Sequence, residues 1–152
     1  MVTTIVADAV FDGFEFREQC PVSIKDGKII SFEVEDNAHI QKVSGVLTPG
    51  FIDVQVNGGG GYLFNHDTHL DTLYAMANAH AKHGTTSFLP TLITSDYSKL
   101  AEAADVISEA LKHNVPGVIG VHFEGPHISQ VKKGIHNSEV IRPLSKEELS
   151  IY

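Results

Sequence analysis

The stretch Val118-Ile119-Gly120-Val121-His122-Phe123-Glu124-Gly125-Pro126-His127 runs from a short apolar strand into an ionisable His-x-Glu pair and stops at Gly-Pro. In open α/β sheets, ligands bind in the crevice outside the carboxyl ends of parallel strands. A carboxylate and an imidazole at such an end therefore mark a candidate site. Side chains two apart on a strand share a face, so His122 and Glu124 point the same way. A second polar knot, Lys132-Lys133-Gly134-Ile135-His136-Asn137, follows shortly after.

Working back from this stretch, strands and helices alternate. Phe51-Ile52-Asp53-Val54-Gln55-Val56 reads as a strand, followed by the loop Asn57 to Asn65. Thr68-x-x-Asp71 has the form of a capping box, with Asp67 as an alternative cap. Leu70, Leu73, Tyr74, Ala77 and Ala81 then keep helical spacing until Gly84 supplies a stop. Thr85 to Leu89 is the next strand, ending at Pro90-Thr91. A second helix starts near Ser95 or Asp96 and buries Leu100, Ala104, Ile107 and Leu111. Val118 to Phe123 is the third strand. Strand–helix–strand–helix–strand predicts a parallel sheet with right-handed crossovers. Glycines 58 to 61 do not give G-x-G-x-x-G, because position 63 is Leu63, and there is no Walker lysine, so a nucleotide loop is disfavoured.

Residues 1–47 read as β-structure. Thr4 to Val10 and Gly13 to Phe16 are short strand candidates. Val22 to Lys25, Asp26-Gly27 and Lys28 to Phe32 form a hairpin around a tight turn. The acidic stretch Glu33 to Asp36 is a strand end or loop, and Thr48-Pro49-Gly50 punctuates the chain before the pattern changes. At the other end, Ser145-Lys146-Glu147-Glu148 is a capping box that opens a helix with Leu149 and Ile151 on an apolar face. At most about two turns of that helix precede Tyr152, and so short a helix is marginal unless it packs on something. The expectation is a fragment of a longer protein.

The chain has 152 residues, 42% hydrophobic and 20% charged, enough for a packed core. A formal net charge of -8 argues against nucleic acid as the main partner, without excluding a small anionic ligand near Lys132-Lys133. Cys20 stands alone, which excludes an internal disulfide and fits a reducing compartment. No apolar run approaches the roughly 20 residues that span a bilayer, and no secretory leader pattern opens the chain. A cytoplasmic protein with no membrane partner is expected.

From the residues alone the chemistry stays open. Glu124 is a candidate metal ligand, but catalytic zinc takes three protein ligands and a water, and there is no H-x-H, H-E-x-x-H or cysteine pair. The plainer reading is a strand-end carboxylate satisfied by loop amides. Asp53, Gln55 and Asn57 share a face, and Gln55 meets Glu124 if their strands are neighbours. His136 can orient a carbonyl or donate to an anion, or simply lie exposed on a loop. His122 is read as a core histidine with a satisfied hydrogen bond. His66, His69, His80, His83 and His113 are read as surface residues, and Lys132 and Lys133 as a solvated pair.

Taken together, the motifs are more specific. Leu47-Thr48-Pro49-Gly50-Phe51-Ile52-Asp53 resembles the entry to the first barrel strand of the amidohydrolase superfamily. Gln55-Val56-Asn57-Gly58 in place of H-x-H, Gly84-Thr85-Thr86-Ser87-Phe88-Leu89-Pro90-Thr91, the His122-Phe123-Glu124-Gly125-Pro126 stretch and Lys132-Lys133-Gly134-Ile135-His136-Asn137 narrow the match. With them the chain resembles the N-acetylglucosamine-6-phosphate deacetylases over essentially its whole length. The resemblance implies an α/β fold: a partial (β/α)8 TIM-type barrel over residues 48–152, preceded by part of a small β-sandwich domain over residues 1–47. It implies metal-dependent hydrolysis of the acetamido group of N-acetylglucosamine 6-phosphate, with zinc or iron as the divalent metal. It implies Glu124 as a metal ligand, Gln55 near the metal through water in a one-metal site, and Ile135-His136 as a substrate-contacting pair. A small amino-sugar phosphate is the implied partner, and a homo-oligomer the expected assembly. His127 departs from the aromatic or apolar residue common after Glu-Gly-Pro.

The same resemblance places two metal-binding histidines and the catalytic aspartate beyond Tyr152. A whole barrel needs on the order of 250 residues, so the isolated 152-residue chain is expected to be inactive. Two rivals stand beside this reading. A cyclic-amide hydrolase is disfavoured by Gln55 where H-x-H is expected. A non-catalytic α/β domain that binds a phosphorylated ligand is disfavoured by the half-begun final helix.

Overall fold

The computed structural model describes residues 1–152, which divide into two compact units, Met1–Pro49 and Gly50–Tyr152. The first unit holds β1 (Val2–Val6), β2 (Ala9–Phe11), β3 (Phe16–Glu18), β4 (Pro21–Lys25), β5 (Lys28–Ser31), β6 (His39–Lys42) and β7 (Val46–Leu47). They form a sheet in the order β5-β4-β1-β6 and a second in the order β3-β2-β7. The hairpin β4–β5 closes with Lys25 opposite Lys28. Its turn residues Asp26 and Gly27 sit at φ 51° and 75°, the left-handed pair that a two-residue hairpin with native twist requires.

Two strand candidates here are corrected. Thr4 to Val10 is two strands, separated at Ala7-Asp8, where the Asp8 carboxylate accepts the Gly45 N–H at 2.7 Å. Most of Gly13 to Phe16 is a turn, because Asp12 Oδ1 captures the N–H groups of Phe14 (2.9 Å) and Glu15 (3.0 Å). β6 pairs in parallel with β1. Its sequence, His39-Ile40-Gln41-Lys42, is exposed throughout and carries little apolar signal.

The second unit holds β8 (Phe51–Val56), β9 (Gly58–Gly59), β10 (Tyr62–Leu63), α1 (Leu70–Ala81), β11 (Thr85–Ile93), α2 (Tyr97–Lys112), β12 (His122–Glu124) and α3 (Lys146–Leu149). The strands β12-β11-β8 form a parallel sheet with β11 in the middle, and β9–β10 is a small antiparallel hairpin. A parallel pair needs a crossover, and α1 and α2 supply the two. The core joins Phe88 and Leu92 of β11 to Leu73 and Met76 of α1 and to Leu100, Ala103 and Ile107 of α2.

The helices keep the expected period but turn slightly different faces inward. α1 buries Thr72, Leu73, Met76 and Ala77 and leaves Tyr74 and Ala81 outside, while α2 buries Ala103 and Ala110 in place of Ala104 and Leu111. Small alanines let α2 lie close to its neighbours; the larger Leu111 stays in solvent. Asp96 caps α2 by accepting the Lys99 N–H at 2.9 Å. Thr68 does not cap α1. His69 holds that position without a side-chain bond, and the buried Thr68 hydroxyl donates instead to Phe64 O at 2.8 Å.

β11 also runs through Pro90 instead of stopping there. A register shift between Phe88 and Pro90 places the proline, which has no N–H to give, at an irregularity in the ladder. The Thr91 hydroxyl takes over beside it, accepting the Val56 N–H at 2.9 Å and donating to Leu89 O at 3.1 Å. Val118 makes a lone bridge to Phe88, and regular pairing resumes only at His122, so the third strand is shorter than expected.

The glycine loop after β8 has a packing role. A side chain on Gly59 would meet His80 Nε2 at 2.8 Å, and one on Gly60, at φ 63°, would meet Ala75 O at 2.8 Å. The loop thus lies flat on α1. His80, expected at the surface, is half-buried and its Nε2 bonds Gly58 O at 2.9 Å. His66, His69, His83 and His113 are exposed. No helix is long and apolar enough to cross a membrane.

Candidate functional site

Three strands end together at one edge of the parallel sheet. β12 ends on Glu124, Thr94 follows β11 directly, and Asn57 follows β8. Gln55 and Glu124 are not on neighbouring strands, because β11 lies between them. His122 nevertheless spans β11, with Nδ1 bonding Val54 O at 2.9 Å, so the outer strands approach across the middle one. This satisfies the His122 ring as expected, in a half-buried setting.

The Glu124 carboxylate sits between an amide and an imidazole. Asn57 Nδ2 donates to Oε2 at 3.4 Å, and His136 Nε2 lies 3.5 Å from Oε1. The Glu124 side chain keeps 30% of its surface open and that of His136 keeps 13%, so the pair faces an accessible space. The Glu124 carbonyl is held by Thr94, whose N–H donates at 2.8 Å and whose hydroxyl donates at 3.1 Å. That hydroxyl also meets His136 Nδ1 at 2.7 Å. The close approach depends on Gly125: a Cβ built there falls onto Thr94 Oγ1, and its φ of 93° is one that side chains rarely adopt.

The loop carrying His136 is anchored at both ends of its path. Lys133 Nζ donates to His136 O at 3.0 Å, whereas Lys132 is exposed. Further on, Arg142 Nη1 donates to Ser95 O (3.1 Å) and Val140 O (2.7 Å), and its Nε and Nη2 meet Glu148 Oε1 at 2.7 and 2.6 Å. Glu148 belongs to the capping box of α3, its Oε2 accepting the Ser145 N–H at 3.1 Å. Burial pushes the Glu148 carboxyl up, but the Ser145 amide and the Arg142 guanidinium outweigh it and the group ends below its ordinary value. His127 packs its ring edge-on against Tyr152 at 5.8 Å and bonds Arg142 O through Nδ1 at 3.0 Å.

Of the residues singled out in the sequence, Glu124 and His136 are therefore brought together. Gln55 is exposed and bonds only through its main chain, its N–H donating to Asp53 Oδ1 at 3.1 Å. Ile135 is 91% exposed and projects into solvent beside His136. Asn57 and Thr94 are partners that sequence reasoning passed over. Asn57 had a signal, since it lies two residues past Gln55 on the shared face. Thr94 lies among other threonines and had none.

The part-exposed Glu124 carboxylate has the chemistry of a ligand to a divalent metal. As a donor set it is partial, since no group of three or more His, Cys, Asp or Glu side chains capable of holding a metal ion is assembled.

Residues 46–150 match the amidohydrolase family, and the chain belongs to that family. N-acetylgalactosamine-6-phosphate deacetylase of Shewanella sp. (strain ANA-3) is 46% identical over 142 residues, covering 89% of this chain and 36% of the relative. N-acetylglucosamine-6-phosphate deacetylase of Haemophilus influenzae is 44% identical over 101 residues, covering 66% of this chain and 26% of the relative. The crystal structure of N-acetylglucosamine-6-phosphate deacetylase from Pasteurella multocida superimposes with a TM-score of 0.91 at 34% identity, covering 99% of this chain and 41% of that one. The chain thus spans roughly a third of the length of the curated relatives it matches. The mixed α/β fold is that of the Pasteurella structure.

Proposed function

We propose that the whole protein containing these residues is an amidohydrolase that removes the acetyl group from N-acetylglucosamine 6-phosphate, releasing acetate and glucosamine 6-phosphate. One observation carries the reading: the Glu124 carboxylate is held between Asn57 and His136 at the carboxyl ends of parallel strands, where this family's match lies. The likeness to the Haemophilus and Pasteurella deacetylases supports the substrate class. The Shewanella relative, named for the galacto epimer, favours N-acetylgalactosamine 6-phosphate as a second substrate reading. Both sugars present the same acetamido group and the same 6-phosphate.

In this reading Glu124 is a metal ligand and Gln55 approaches the metal through water. Zinc or iron, when bound, supplies Lewis-acid activation of water and of the amide carbonyl. Asn57 fixes Oε2 and so aims the carboxylate. His136 Nε2, facing the open side of Glu124, donates to the substrate, with the exposed Ile135 lying over the sugar. The 152 residues supply one carboxylate toward the metal, so the remaining ligands and the catalytic acid–base belong to other parts of the barrel and acetate release is a property of the whole enzyme. Residues 48–152 are read as the first part of a (β/α)8 barrel and residues 1–47 as part of a β-sandwich domain. Cytoplasmic location and a homo-oligomeric state belong to the same proposal.

The test is acetate release by the whole enzyme from both hexosamine 6-phosphates and from a cyclic amide, with Glu124→Gln as control. Turnover of a hexosamine 6-phosphate, lost in the variant, is expected. Turnover of the cyclic amide alone would overturn the reading.

A further inference from the structure

Thr94 contacts both members of the Glu124–His136 pair from behind. Its N–H and hydroxyl hold the Glu124 carbonyl at 2.8 and 3.1 Å, and the same hydroxyl meets His136 Nδ1 at 2.7 Å. Glu124 is thereby fixed through its main chain, and the imidazole through the ring nitrogen that faces away from the carboxylate. We propose that Thr94 is a positioning residue that holds the His136 ring against Glu124. The proposal rests on the reading of His136 as the group that touches substrate.

A main-chain carbonyl only accepts, so it keeps a neutral histidine's proton on the nitrogen bonded to it. A hydroxyl has one proton and two lone pairs. When His136 Nδ1 carries a proton, it donates to Thr94 Oγ1 and the threonine hydrogen turns to Glu124 O. When Nδ1 is bare, the threonine hydrogen turns to it, and Glu124 O keeps the Thr94 N–H. Thr94 therefore keeps its hold on Nδ1 in either arrangement, and the ring stays in place with Nε2 facing Glu124.

The other histidines give the contrast. Four histidine rings make hydrogen bonds, and three of them, His80, His122 and His127, bond the main-chain carbonyls of Gly58, Val54 and Arg142. His136 alone bonds a hydroxyl. The one ring placed against the candidate ligand is thus the one held by a side-chain hydroxyl. The approach also explains the glycine after Glu124, since any side chain there would displace the Thr94 hydroxyl.

The test uses the whole enzyme and the variants Thr94→Ser, Thr94→Val, His136→Asn and the double variant Thr94→Val/His136→Asn. Thr94→Ser keeps the hydroxyl and should keep kcat near the parent value. Thr94→Val removes the hydroxyl at nearly constant volume and should lower kcat by about 10- to 100-fold, the usual effect of losing an orienting partner, with metal content retained. Because Thr94 acts through His136, the double variant should be no slower than His136→Asn alone. A Thr94→Val enzyme as fast as the parent, or a double variant slowed by the product of the two single effects, would overturn the proposal. Imidazole 15N spectra of the parent give a readout independent of turnover and of how the variants fold. His122 and His127 should show a proton fixed on Nδ1, and His136 should show an Nδ1 shifted by its bond to the Thr94 hydroxyl. A His136 Nδ1 with the shift of an unbonded nitrogen would defeat the proposal, whereas a parent enzyme that releases no acetate would defeat the functional reading instead.

Discussion

Replacing Gly125 with alanine tests the packing behind the candidate site. The new Cβ falls onto Thr94 Oγ1, so the hydroxyl must leave, and the residue must also hold a φ of 93°. The backbone conformation costs about 1–3 kcal/mol for a residue with a side chain. Expelling the hydroxyl forfeits its bonds to Glu124 O and His136 Nδ1, each worth about 0.5–1.5 kcal/mol. The total is about 2–6 kcal/mol, a large part of the 5–15 kcal/mol that stabilises a typical domain. Urea denaturation of the parent, Gly125→Ala, Thr94→Ala and the double variant isolates the cause. Thr94→Ala alone should cost about 1–3 kcal/mol for the two hydroxyl bonds. In the Gly125→Ala background those bonds are already gone, so adding Thr94→Ala should cost almost nothing. Strict additivity of the two changes would show instead that Gly125 and the Thr94 hydroxyl do not share the space.

Thr91→Val leaves the Val56 N–H without an acceptor beside Pro90 and should cost about 1–3 kcal/mol in a denaturation midpoint, restored by Thr91→Ser. Asp96→Asn retains the cap of α2 but removes its titration. The Lys99 N–H first, and the Ser98 hydroxyl second, hold the Asp96 carboxyl below its ordinary value of 3.8. Its stabilisation is therefore complete above that value and is lost as pH falls through the lower folded-state value. The parent's advantage over Asp96→Asn, measured by urea midpoints at neutral and at acid pH, should shrink only in the acid.

The parts of this fold that were legible in the sequence are those where a short local pattern meets its own chemistry. Asp26-Gly27 predicted a two-residue hairpin because few residues tolerate two successive left-handed conformations. Asp96 and the Ser145–Glu148 box predicted their helix starts because the capping side chain bonds an amide two or three residues away. Misreadings arose where a distant partner decided the matter. Thr68 had the right spacing for a cap, but the Phe64 carbonyl took its hydroxyl. Pro90 looked like a strand end, but the Thr91 hydroxyl repaired the ladder beside it. β6 has no apolar face to advertise it. The site shows the same division. Glu124 and His136 stood out by residue type and motif, whereas Asn57 and Thr94 acquire their roles only when three strand ends meet.

We propose that Glu124, steadied by Asn57 and His136, holds the metal of an amino-sugar-phosphate deacetylase. The most direct measurement is metal content and acetate release on one preparation of whole enzyme, parent against Glu124→Gln, with a thermal melt to show that both are folded. The folded variant should lose metal and acetate release together. A folded Glu124→Gln enzyme that keeps its metal and still deacetylates would contradict the proposal.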